Sequence, residues 1–368
     1  MRELLGRISA GLESNNEKLK NSLRRYFFVL NNDSPSKSQV TKYVSIDTNL
    51  ESSSEELWKA HKDGLKHYGD LLKELDEERI DLQDLSMPES SLLDLKVKLA
   101  QRIIKSCHFC EHDCQVNRTQ GETGFCGVEE QSRVSSEFMH HGEEPELVPS
   151  YTIFFSGCTF QCQFCQNWGI SQNPDNGVKK TPKELADSIS GAREKGALNV
   201  NWVGGDPTPN LHNILSALNK SRVNIPSVWN SNMYLSLDGM KLLSGTQDIF
   251  LTDFKYGNND CALKYSKIPN YWETVSRNHE LAFEDSELII RHLVLPGHID
   301  CCTKPILEWI AENLSKDVRI NVMGQYRPSG EISVSPSDYG ELNRRPKLEE
   351  MEEAYQIAKN LGLNNVAK

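Results

Sequence analysis

Cys158, Cys162 and Cys165 stand three and then two residues apart on the single loop Gly157-Cys-Thr-Phe-Gln-Cys-Gln-Phe-Cys165, between an apolar run and a helix signal. That spacing suits a metal cluster and not a pair of disulfides. A cubane iron-sulfur cluster normally takes four thiolates, so a loop that supplies three leaves one iron open to a small ligand. An open iron implies chemistry. Taken alone, three cysteines in a short stretch also fit a zinc loop or buried thiols, and the surrounding sequence has to decide between these.

The CxxxCxxC pattern with an aromatic, Phe164, before its last cysteine resembles the cluster loop of radical S-adenosylmethionine (SAM) enzymes. The wider region resembles an uncharacterised branch of the relatives of pyruvate formate-lyase activating enzyme. The resemblance implies a [4Fe-4S] cluster on Cys158, Cys162 and Cys165, with the open iron chelated by the amino and carboxylate groups of SAM. One electron then splits the sulfonium to a 5′-deoxyadenosyl radical, and hydrogen abstraction follows. It also implies a low-potential electron donor of the flavodoxin or ferredoxin type and, by analogy with the activating enzymes, a glycyl-radical-type partner protein as substrate. A small metabolite or a protein side chain is the alternative acceptor. A reading from a different class is a cluster- or zinc-holding interaction protein without turnover, with a helical N-terminal adaptor.

Composition narrows the partners. With 368 residues, 38% apolar and 25% charged, the chain reads as soluble and globular. A net charge of −11 and a pI near 5.5 work against bulk nucleic-acid binding. No stretch of 18 apolar residues predicts a membrane span, and Met-Arg-Glu-Leu-Leu-Gly-Arg lacks the long apolar segment of a signal peptide, so the expected location is the cytoplasm. Seven of the ten cysteines lie in two dense clusters, which favours metal binding in a reducing compartment over a disulfide framework.

Four regions are expected: a helical N-terminal region (1–105), a Cys-rich metal-binding segment (106–145), the core (146–335) and a C-terminal helical extension (336–368). In the first, Ile8, Leu12, Leu19 and Leu23 recur at helical offsets, as do Leu57, His61, Leu65, Tyr68, Leu72 and Leu75 behind a Ser53/Glu56 capping box. A third helix runs through Leu92, Leu95, Leu99 and Ile103, with turn-rich linkers at 31–38 and 86–91. His61 and His67 have no ligand partner at metal spacing and read as packing or surface residues. The region reads as a helical cap on the core or a docking surface.

Cys107, Cys110, Cys114 and Cys126 follow C-x2-C-x3-C-x11-C. Four thiolates can complete a closed site, either an auxiliary iron-sulfur cluster or zinc, or they can stay as redox or unmetallated thiols. His108 and His112 read as neighbours able to substitute as ligands. Cys261, Cys301 and Cys302 lack cluster spacing; adjacent cysteines could serve a redox step, but free buried thiols are the commoner case.

From Tyr151 onward strands alternate with helices, the α/β pattern of a parallel sheet with crossover helices. Strands are expected at 151–155, 198–203, 227–229, 248–254, 287–295 and 318–323, with helices at 182–194, 211–218 and 305–313. Six such units match an incomplete (β/α)6 barrel, which the family resemblance also implies, and barrel sites form from loops at the C-terminal strand ends. Gly204-Gly205-Asp206-Pro207 follows the second strand and resembles the family's GGEP motif, whose backbone and acidic residue receive the SAM amino group, with Asp in place of Glu. Asp253 and Lys255 alternate at the end of the fourth strand and so share a face; they look like the family's Asp-x-Lys pair beside the SAM ribose and carboxylate. Arg291 points inward if Ile290 and His292 point outward, and its fork suits a carboxylate; it resembles an arginine that contacts SAM. Asn230, Ser231 and Asn232, and residues Asn321 to Gln325, occupy positions where the family contacts ribose, adenine or substrate.

Overall fold

Val200, Trp202, Val228, Trp229, Ile249, Leu251, Ile289 and Ile290 are all at 0% exposure, and strands apolar on both faces need a covering layer on each side. The computed structural model describes residues 21–367, so the helical pattern expected through Ile8, Leu12 and Leu19 lies outside the described residues. Nine strands form one sheet: β1 (Ser132–His140), β2 (Ser150–Phe155), β3 (Val178–Lys180), β4 (Asn199–Gly204), β5 (Ser227–Ser231), β6 (Ile249–Asp253), β7 (Glu287–Leu293), β8 (Arg319–Met323) and β9 (Val366–Ala367). Their order is β3-β1-β2-β4-β5-β6-β7-β8-β9. From β2 through β9 the neighbours run parallel, while β1 runs antiparallel to both β2 and β3. The two ends of the sheet do not pair, so the barrel stays incomplete.

The six parallel strands expected from sequence are all present, with ends shifted by one or two residues. The antiparallel pair at one edge is new, and so is β9. The C-terminal extension is therefore not purely helical: after a helix at Leu348–Asn360, Val366 and Ala367 pair with Ile320 and Asn321. That pairing covers β8, which would otherwise present an open edge.

Side-chain alternation divides the barrel from its outer layer. Trp202, Trp229, Phe250 and Ile290 face the helices, including α4 (Pro182–Glu194) and α5 (Leu211–Lys220), whereas Val228, Ile249, Leu251 and Ile289 line the interior. Helix α4 starts where Thr181 and Glu184 form a reciprocal capping box, followed by Pro182.

The bottom of the barrel is plugged by the N-terminal region. Helix α1 (Arg24–Asn31) inserts Tyr26 and Leu30 among Leu147, Leu198, Val228 and Ile249. Its first amides, Arg25 N–H at 2.6 Å and Tyr26 N–H at 2.8 Å, are accepted by the carboxylate of Glu287 at the start of β7, a favourable charge at a helix N-terminus. Helices α2 (Ser54–Asp76) and α3 (Leu92–Ile103) pack together on the outside, α3 against α5. Ser53 and Glu56 make the expected capping box. His61 is buried, with Nε2 2.8 Å from the ammonium of the fully buried Lys96.

Candidate active site

The cysteine loop leaves the C-terminal end of β2 and is held on three sides. Gln161 N–H donates to Ser266 O at 3.0 Å and Gln163 N–H to Tyr265 O at 2.8 Å, tying it to the end of α6 (Asn259–Ser266). Gln163 O accepts Ile332 N–H at 3.1 Å, and its side-chain oxygen accepts the Tyr339 hydroxyl at 2.8 Å. Cys158 and Cys162 are buried and Cys165 is half-buried. Burial, reinforced by Asp206 and the neighbouring thiols, holds the Cys158 thiol well above its ordinary pKa, and burial pushes Cys162 up to about 12. Ser266 donates to the Cys162 sulfur at 2.9 Å, and the Phe160 amide to that of Cys158 at 3.3 Å. Sulfurs this buried, already provided with N–H and O–H donors, are suited to hold charge once a metal replaces the protons.

Gly204 and Gly205 bring a second backbone against this loop. Gly205 N–H donates to Phe155 O at 2.8 Å and Asp206 N–H to Gly157 O at 3.1 Å. A Cβ on Gly205 would stand 2.0 Å from Gly157 O, and Gly204 has φ +133 with room for no side chain beside Phe155. Only glycine allows this approach. The Asp206 carboxylate is spent within the loop: it accepts Thr208 N–H at 2.9 Å, the Ser231 hydroxyl at 3.0 Å and Asn232 N–H at 3.0 Å. Burial lifts its pKa. Asn232 in turn donates to Thr159 Oγ1 at 2.8 Å, so the ends of β2, β4 and β5 are one bonded unit.

Asp253 and Lys255 pair with each other at the end of β6. Burial opposes the Lys255 charge, but Asp253 and the Cys162 sulfur outweigh it and hold the ammonium above its usual pKa. Arg291 does face the interior, and its fork is already filled: Nε donates to Glu144 Oε1 at 2.7 Å and Nη2 to Glu144 Oε2 at 2.6 Å, with Glu143 on the same nitrogen. Asn321 adds a bond to Glu144 at 3.1 Å. His292 points outward, buried between Phe254 O and Thr303, as its alternation with Arg291 predicts.

The register places Asp253, Arg291 and Asn321 in one interior layer, with Asn230 in the layer below and Asn201 below that. Both amide atoms of Asn201 and the Nδ2 of Asn230 are buried with no hydrogen-bond partner. Buried amides are seldom left so, and these lie in the interior below the layer of Asp253 and Arg291.

The Cys-rich segment packs directly on that loop. A Cβ on Gly157 would lie 2.8 Å from Cys126 O, and His112 Nε2 donates to Thr159 O at 2.8 Å, so His112 bridges the two segments. Two of its sulfurs have an N–H donor, Arg118 Nη1 on Cys107 at 3.8 Å and the Phe125 amide on Cys114 at 3.4 Å. His108 is engaged with Ser106 O and Asp238.

The sequence model of the Radical SAM superfamily matches residues 152–310, the span that carries the cysteine loop and the strand-end residues just described. The chain is 46% identical over 348 residues to the uncharacterized protein MJ0674 of Methanocaldococcus jannaschii, covering 93% of this chain and 98% of that one. This chain belongs to the radical SAM superfamily. A second protein of that organism, the uncharacterized protein MJ0808, is 30% identical over 100 residues, 22% of this chain and 29% of its own. Among solved structures, SuiB of Streptococcus suis bound to its precursor peptide SuiA aligns with TM-score 0.42 at 12% identity, over 57% of this chain and 46% of that chain. HydG, a maturase of the [FeFe]-hydrogenase, aligns with TM-score 0.41 at 12% identity, over 96% and 66%.

As a radical SAM enzyme the chain uses a [4Fe-4S] cluster and SAM, and its residues fit them. Three thiols on one loop match the donor set, the Gly204-Gly205 backbone forms a cradle that a Cβ would fill, and Asn201 and Asn230 offer unpaired amides. Sequence reasoning missed Asn201, Ser266 and the Glu143/Glu144 grip on Arg291. The tandem acids in His140-His141-Gly-Glu-Glu were the available signal for the last; Asn201 and Ser266 look ordinary in sequence.

Proposed function

We propose that this enzyme abstracts a hydrogen atom from a peptide segment of a partner protein, a glycyl Cα–H in the activating-enzyme manner, and that it works in the cytoplasm with a low-potential flavodoxin- or ferredoxin-type donor. When bound, the cluster supplies one electron that splits SAM, and the 5′-deoxyadenosyl radical so formed takes the hydrogen atom. The observation that carries the reading is the meeting of the Cys158/Cys162/Cys165 loop, the Gly204-Gly205 backbone and the Asp253–Lys255 pair at the C-terminal ends of β2, β4 and β6.

The roles of the protein groups follow from their chemistry. Cys158, Cys162 and Cys165 hold the cluster. The Gly204-Gly205 backbone lies against the cosubstrate, and Asp206 positions that backbone through Thr208, Ser231 and Asn232. Lys255 sets a compact positive charge beside Cys162, suited to a carboxylate. Asn201 and Asn230 turn donors and acceptors toward the nucleoside. Arg291, already gripped by Glu143 and Glu144, shapes the pocket wall, with Asn321 beside it. What supports a protein substrate is the open sheet, whose edge strands β3 and β9 do not pair with each other.

The four N-terminal cysteines read best as an auxiliary iron-sulfur cluster. Among the described residues they are not among the sets of three or more ligand atoms lying within 4.8 Å of one another. A single zinc ion with bonds of about 2.3 Å would gather its sulfurs about 3.8 Å apart. Donors such as those on the Cys107 and Cys114 sulfurs are also what tunes a cluster.

The test is anaerobic reconstitution with iron and sulfide, then dithionite and SAM. 5′-Deoxyadenosine is expected, and its loss in Cys162→Ala; no product from a fully loaded preparation would favour an adaptor without turnover. Capture of partners under nitrogen, followed by electron paramagnetic resonance for a carbon radical on the captured chain, tests the substrate class. A radical confined to added small metabolites would refute it.

A further inference from the structure

Three cysteines that look unrelated in sequence meet a histidine beside the active site. Cys261 lies on α6, and His298, Cys301 and Cys302 lie on the turn after β7, the last two within a π-helical turn at Ile299–Thr303. The Cys261 sulfur is 4.0 Å from that of Cys301 and 3.8 Å from His298 Nδ1; Cys301 is 3.9 Å from Cys302 and 3.1 Å from His298 Nδ1. All four ligand atoms lie within 4.8 Å of one another. These are the edges of a tetrahedron: bonds of about 2.3 Å to sulfur and about 2.0 Å to nitrogen put sulfurs about 3.8 Å apart and sulfur about 3.5 Å from nitrogen.

We propose that Cys261, His298, Cys301 and Cys302 bind one zinc ion in a closed Cys3His site. Three thiols lose their protons to solvent and His298 binds neutral through Nδ1, so no oxidant or reductant is required. The set is too tight for a cubane, whose cysteine sulfurs sit on separate irons, and too wide for a disulfide, which holds its sulfurs at about 2.05 Å.

The surroundings are built for the ligands. Asn258 orients two of them at once, its Oδ1 accepting Cys261 N–H at 2.8 Å and its Nδ2 donating to Cys301 O at 2.7 Å. A Cβ on Gly257 would stand 2.6 Å from Cys301 O and 2.9 Å from Cys302 Cα, so only glycine lets the β6 loop pass. The ring of Tyr265 meets His298 edge-on at 5.2 Å. With four protein ligands the ion has no open position, and its role is to staple α6 to the turn after β7. That helix ends in Tyr265 and Ser266, which support Gln161, Gln163 and Cys162. The ion thereby fixes the shelf on which the radical cluster loop rests.

Zinc analysis and cobalt substitution of the anaerobically purified full chain test this. Intact protein and Cys162→Ala are expected to carry one tightly held equivalent that Cys261→Ala and Cys301→Ala each lose. Cobalt in its place should show intense tetrahedral d–d bands and sulfur-to-metal charge transfer. Where a variant fails to fold, alkylation of the unmutated chain gives the answer: Cys261, Cys301 and Cys302 should resist iodoacetamide until a chelator is added. Free alkylation without chelator, a disulfide among the three, iron in place of zinc, or unchanged zinc in a folded Cys301→Ala variant overturns the assignment.

Discussion

The Ser266 hydroxyl donates to the Cys162 sulfur at 2.9 Å, from a helix more than a hundred residues further along the chain. A donor on a cluster thiolate stabilises the more negative, reduced state, and hydrogen bonds to sulfur are one of the determinants of cluster potential. Ser266→Ala is therefore expected to lower the reduction potential of the radical cluster. If the bond is worth about 1 kcal/mol more in the reduced state, the shift is on the order of 40 mV. Potentiometric titration followed by electron paramagnetic resonance measures it, and 5′-deoxyadenosine formation with a fixed donor should slow in step. An unchanged potential would mean that the hydroxyl serves Tyr256 instead, 2.6 Å away.

Arg291 is caught between two acids, and the price of removing it falls on them. Glu144 is 3% exposed, and its pKa stays low because Arg291 outweighs the effect of burial. Breaking a buried pair by deleting one partner costs roughly 3–5 kcal/mol. Arg291→Met should lose stability on that scale in anaerobic urea unfolding, while Arg291→Met with Glu144→Gln should recover part of it. If Arg291 instead acts mainly on SAM, the single variant would unfold normally and fail only in SAM binding.

Gly205 and Asp206 separate two ways of serving the cosubstrate. Gly205→Ala drives a Cβ into Gly157 O and should displace the cysteine loop, lowering the iron bound by the triplet along with SAM affinity. Asp206→Asn keeps the shape but leaves one accepting oxygen in place of two, so it cannot accept from Thr208 as well as from Ser231 and Asn232. Loss of those bonds should weaken SAM binding by about tenfold, or roughly 1.4 kcal/mol, with iron content retained. Calorimetric titration with SAM distinguishes the two; equal iron loss in both variants would contradict it.

Local signals carried most of the architecture. Ser53/Glu56 and Thr181/Glu184 announce their helices within four residues, and the apolar runs ending at Phe155, Gly204 and Asp253 locate the strand ends where the loop, the glycines and the acid–lysine pair emerge. What stayed hidden depends on distant contacts. Strand β1 alternates too weakly around Val134 and Phe138 to stand out, because its outer face is partly exposed. Glu144 meets Arg291 across 147 residues, and Cys261 meets Cys301 across 40. Lys96 occupies a helix position where lysine normally signals solvent, yet it is at 0% exposure.

That lysine gives stability a pH dependence with a definite sign. Burial lowers its pKa from 10.5 to about 7, and its ammonium nitrogen contacts His61 Nε2, Lys241 O and Leu242 O. Between about pH 7 and 10.5 the unfolded chain holds a proton that the folded chain lacks, so stability rises with pH across that window. Burial together with Lys96 also depresses the His61 pKa, which extends the same trend to lower pH. The Lys96 contribution amounts to at most about 4 kcal/mol between the two ends. Lys96→Met removes the titrating group and should flatten the slope of unfolding free energy against pH from 7 to 10.5, read by urea unfolding at several pH values. A slope that survives the substitution would place its origin in another buried group.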